Sequence, residues 1–125
     1  MAANKLISLG PVALTATLTT NIWNFNITAV TGPTGYTMTQ PYVILRHVRI
    51  VNKHASIAAT FSLWKGGTAG NVAGTEVIGT GVAVPVGSYF EWLGLLRMDV
   101  ADFLVGGSNT ATALTIQGEG EIGFV

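Results

Sequence analysis

The sequence predicts an all-β fold, a single β-sandwich or jelly roll of seven to eight mostly antiparallel strands. Three observations lead there. Runs of about 6–12 residues rich in β-branched and aromatic types recur, each closed by a cluster of Gly, Pro, Asn or Ser. No apolar pattern at helical spacing is sustained along the chain. The connections between runs are hairpin-length, too short for the crossovers that a parallel sheet requires.

The elements follow in order. Residues 1–10 lack a strand pattern and read as an extended N-terminal arm, with the sandwich domain spanning 11–125. Val12 to Thr19 alternates, with Val12, Leu14, Ala16 and Leu18 on one face and threonines on the other. Ile22 to Val30 alternates again, and residues 31–40 form a long loop opened by Thr31-Gly32-Pro33. Tyr42 to Lys53 is the longest run and apolar on both faces at its start, as a central strand would be. Ala59 to Lys65 places Phe61 and Leu63 together, and Thr75 to Val84 follows, relieved by Gly79 and Gly81. Tyr89 to Met98 sets Phe90, Trp92, Leu96 and Met98 on one face around Gly94. Asp99 to Leu104 suits one capped helical turn, and Gly106-Gly107-Ser108-Asn109 suits a turn. Ala111 to Ile122 closes the domain with Leu114, Ile116 and Ile122 inward and Thr115, Gln117, Glu119 and Glu121 outward.

Composition narrows the function. Apolar residues make up 49% and charged residues only 10%, so much of the surface of a domain this small must be uncharged. With six cations against six anions the net charge is zero, which favours association with copies of itself or a partner. The same balance argues against nucleic acid, whose phosphates demand many cations, and against an anionic membrane. The absence of cysteine removes disulfides and thiolate metal sites. The opening residues carry one Lys and a brief apolar run, unlike a secretory leader, so the reading is a soluble protein made in the cytoplasm.

Motifs that suggest chemistry fail on context. Gly118-Glu119-Gly120-Glu121-Ile122-Gly123 spells a dinucleotide-binding fingerprint, but only two residues follow where a helix must hold the pyrophosphate. His47 lies among Arg46 and Arg49, a poor setting for a metal, and no second ligand is spaced to join it. No serine sits in a nucleophile elbow. The expectation is a non-enzymatic chain with no cofactor, no metal and no catalytic residue.

The basic concentration comprises Arg46, His47, Arg49, Lys53 and His54. Simple alternation puts Arg46 on one face and His47, Arg49 and Lys53 on the other. Pairing with Glu91, Asp99 or Asp102 across strands is the expected role, and contact with a protein partner the functional one. The candidate interface residues are Leu6, Ile7 and Leu9 in the arm, Trp23 and Phe25, Tyr36 and Met38 in the long loop, and Arg49. Aromatic residues, Met and Arg are enriched at interface centres. Phe61, Phe90, Trp92 and Phe103 are assigned to the core.

The stretch from Ile44 to Trp64, in which Val51-Asn52 leads through an Ala/Ser turn into Thr60-Phe61-Ser62-Leu63, resembles small virion proteins of tailed bacteriophages. Gly74 to Gly81, the Tyr89-Phe90-Glu91-Trp92 strand and the ending Leu114 to Gly123 are similar too, so the resemblance spans about residues 40–125. These motifs are structural rather than catalytic. The resemblance implies a β-sandwich made in the host cytoplasm that assembles into the virion as a homo-oligomer, a trimer favoured. Its partner would be the major capsid protein, or a tail protein, and its role that of a capsid decoration (cement) protein. A tail or baseplate component is the alternative, and a carbohydrate-binding module with Trp23, Trp64 or Tyr36 exposed is the alternative of another class.

Overall fold

The computed structural model describes residues 5–25 and 41–124. They form eight strands: β1 (Lys5–Ala13), β2 (Thr20–Asn24), β3 (Pro41–Asn52), β4 (Ala59–Gly66), β5 (Val82–Val84), β6 (Tyr89–Met98), β7 (Phe103–Ser108) and β8 (Leu114–Phe124). One sheet has the order β1-β8-β3-β6 and the other β2-β7-β4-β5, with every paired neighbour antiparallel. The first strand thus pairs with the last, the second with the seventh, the third with the sixth and the fourth with the fifth. That is the order of an eight-stranded jelly roll. We call the two layers sheet A and sheet B.

Alternation decides which side chains meet between the layers. On β3 the buried set is Val43, Leu45, Val48 and Ile50; β4 contributes Phe61 and Leu63, and β8 contributes Leu114, Ile116 and Ile122. Phe61 of sheet B meets Phe90 of sheet A with ring centroids 5.0 Å apart, a tilted pairing that suits the ring quadrupoles. Asn52, buried at the end of β3, is fully bonded: its amide donates to the carbonyls of Ile57 and Val84, and its oxygen accepts from the His54 N–H. Ring nitrogen Nδ1 of His54 then accepts from the N–H groups of Ser56 and Ile57, so this histidine staples the turn before β4.

Several expectations need correcting. Residues 5–10 are not a free arm, because Lys5 to Leu9 pairs with β8 as the edge of sheet A. The strand expected over 12–19 ends at Ala13; Leu14 is buried, while Ala16 and Leu18 lie exposed in the turn that leads to β2. The run over 75–84 is strand only at Val82–Val84, although Glu76 bridges Trp64 and the Val77 N–H donates to Leu63. Asp99 to Asp102 is a turn, not a helical one, and it is the Asp102 carboxylate that accepts from the Asp99 N–H. Gly106, Gly107 and Ser108 belong to β7. There the glycines do what no larger residue could: a Cβ on Gly106 would lie 2.0 Å from the Ser62 carbonyl of β4.

Candidate interaction surface

β3 is the middle of the site, and its phase changes partway along. The register to both neighbours shifts between Leu45 and His47. Leu45 and Val48 are buried, so both intervening residues, Arg46 and His47, face outward. A bulge of this kind re-aims side chains without breaking the sheet. Arg46 therefore shares the outer face of sheet A with His47 and Arg49, which corrects the separation that simple alternation gave.

Three glutamates from the flanking strands meet these cations. Arg49 donates to Glu91 of β6 at 2.8 Å, and His47 Nε2 lies 2.7 Å from the same carboxylate oxygen. On the other side His47 Nδ1 lies 3.3 Å from Glu119 of β8, and Arg46 donates to Glu121 at 3.0 Å. The expected pairing of the basic cluster with Glu91 is therefore present, and Glu119 and Glu121 join it. The hydrogen bond from Arg49, then that from His47, holds the Glu91 carboxyl below its usual range. Glu91 in turn raises the Arg49 guanidinium, chiefly through that same hydrogen bond. Arg49 also lies over the Tyr89 ring at 5.1 Å and Arg97 over Tyr42 at 4.1 Å, both cation–π contacts.

Around this charged centre the face is aliphatic. Leu6 is 77% exposed, Leu93 75%, Leu95 72% and Tyr89 58%. Leu6, Leu93 and Leu95 border a shallow depression of about 510 Å³ whose floor is Gly94 and Gly120 and whose walls include Arg46, His47, Glu119 and Glu121. Single exposed leucines are ordinary, and a group of them on one open sheet face makes this face the candidate contact surface.

The residues singled out from sequence divide sharply. Leu6 and Arg49 lie on this face. Ile7 and Leu9 point the other way and pack against the core. Trp23 and Phe25 are buried, which corrects their assignment to an interface: the Trp23 ring occupies the space under Gly118, where a Cβ would sit 3.0 Å from it. Tyr36 and Met38 lie outside the described residues. Tyr89, Leu93 and Leu95 were missed, though a signal existed. Placing Phe90, Trp92, Leu96 and Met98 inward leaves Tyr89, Glu91, Leu93, Leu95 and Arg97 outward, which is their arrangement here.

The glycine fingerprint has a structural explanation. Gly118 and Gly120 lie buried on β8 against the backbone of β3, and Glu119 and Glu121 between them form the ion pairs just described. Among the described residues no group of three or more His, Cys, Asp or Glu side chains is placed to hold a metal ion. Among the described residues no helix is long and apolar enough to cross a membrane. Comparisons with protein families, with curated proteins and with solved structures found no match.

Proposed function

We propose that this chain is a non-enzymatic virion structural protein, a capsid decoration protein that binds a phage shell and stabilises it. The observation that carries the reading is the outer face of sheet A, where Leu6, Leu93 and Leu95 stand exposed around a network of mutually neutralised charges. Such a face gains by covering its leucines, and the charges they surround are already paired with one another, which lowers the cost of drying them. The virion-like stretches over residues 40–125 support the same reading. A jelly roll by itself is neutral, since the architecture hosts capsid proteins, lectins and cupins alike.

A decoration protein strengthens a shell by many copies of a modest contact, so stoichiometry is the measurement that tests it. Purified protein is sedimented with phage shells that lack it. Saturation at scores to hundreds of copies per shell is the expected result. Binding at a few copies, or to tails alone, moves the assignment to a tail or baseplate component. Binding to neither rejects the virion reading, and the sugar-binding alternative then has to work without Trp23, which is buried.

A further inference from the structure

Sheets A and B end on four strands among the described residues, and three of these edges are blunted. β1 is interrupted by Pro11 and a register shift between Leu9 and Val12. β2 has 5 residues and shifts between Asn21 and Trp23, and β5 has only 3 residues. β6 differs: it runs for 10 residues with no proline and no lysine. Its exposed and less exposed positions alternate without a break, even where the register to β3 shifts beside Gly94. A long edge of this kind is a template for another strand.

The sequence of β6 shows which strand. It is complementary to its own reverse about Gly94. When two copies run antiparallel with Gly94 opposite Gly94, Leu93 faces Leu95, Glu91 faces Arg97 and Tyr89 faces Asp99 on the outer side. On the inner side Trp92 faces Leu96 and Phe90 faces Met98. Sliding the pair by two residues sets Leu95 opposite Glu91, or Leu93 opposite Arg97, and the match is lost. The bonding inventory fits as well. Both His47 and Arg49 bond Glu91 through Oε2, and Arg97 bonds Asp99 through Nε. Among the described residues Glu91 Oε1 and the terminal nitrogens of Arg97 have no other hydrogen-bond partner, which leaves them to meet one another.

We propose that a second copy of this chain pairs β6 to β6 across a two-fold axis at Gly94, joining two A sheets into one continuous sheet. Lys65 Nζ donates to the Arg97 carbonyl at 2.7 Å, and it swings to Asp102, 3.7 Å away, when the second strand arrives. The contact is isologous and uses each edge once, so it closes at two copies; the trimer implied by the virion resemblance would need a different surface.

The chain has no cysteine, so a directed cross-link reads the register. Leu93→Cys and Leu95→Cys are prepared separately, then oxidised alone and as a mixture. Opposed Cβ atoms lie within disulfide reach and diagonal ones beyond it, so the mixture should cross-link about tenfold faster than either variant alone. Sedimentation of the unaltered chain should show a dimer, and Arg97→Glu should shift it to monomer while its circular dichroism stays unchanged. A monomer at all concentrations overturns the proposal, as does equal cross-linking in the three samples. The proposal stands apart from the virion reading: a dimer that ignores shells retains this contact and rejects that function, and a shell-binding monomer does the reverse.

Discussion

Glu91 is a residue through which pH acts on this fold. It accepts from both Arg49 and His47, and the Arg49 bond, then the His47 bond, lowers its pKa from the ordinary value of 4.5. A carboxyl with a depressed folded-state pKa contributes stability that is fully present above its unfolded value. That contribution is lost as pH falls through the folded value. Arg49 stays charged throughout, so the loss belongs to Glu91. Urea midpoints of the native chain should therefore fall as pH drops from about 5 toward about 3, and those of Glu91→Gln should fall less. The two proteins should converge at the acid end. Parallel curves would show that the pair contributes nothing that titrates.

At the scale of the element, β7 shows how a strand can be written in turn residues. Gly106 has φ of +154°, and a Cβ there would meet the Ser62 carbonyl at 2.0 Å. Gly106→Ala should cost about 3 kcal/mol or more in urea unfolding, since the obstacle is backbone of a central neighbour that cannot move aside. Gly67, whose Cβ would meet nothing within 4 Å, provides the control: Gly67→Ala should lie within about 0.5 kcal/mol of the native chain. Equal losses at the two sites would show that β4 and β7 are not packed this closely. The same case marks the boundary of what local sequence contains. β6 and most of β8 were legible because their alternation is self-contained: each apolar position announces its face. β7 was not, because the need for Gly106 arises from Ser62 on another strand. The phase change at Arg46 was hidden for a like reason, as nothing in Leu45-Arg46-His47-Val48 shows that both polar residues turn outward. Trp23 was misplaced because the space that receives it is made by Gly118, far along the chain.

For the whole molecule, the charge balance bears on the proposed association. Six cations and six anions cancel, and the charged residues of sheet A are largely spent on one another. Long-range steering by the protein's field is therefore weak, and attraction must come from apolar area. Burying a side chain such as Leu93 or Leu95 fully beneath a shell is worth about 1.5–3 kcal/mol, against about 0–1 kcal/mol for an exposed ion pair at the margin of the contact. This ranking makes a prediction about salt. Raising sodium chloride from about 0.05 to about 0.5 M, which shortens the screening length severalfold, should change shell binding by less than about threefold. Ammonium sulfate should strengthen it, because excluded salts favour burial of apolar surface. Leu93→Ser and Leu95→Ser should each weaken it about tenfold or more, the equivalent of about 1.4 kcal/mol. Sedimentation across a salt series compares the two effects directly. If sodium chloride dissociates the assembly more than either leucine substitution does, the ion pairs hold the contact, and the exposed leucines of β6 are left without a role in it.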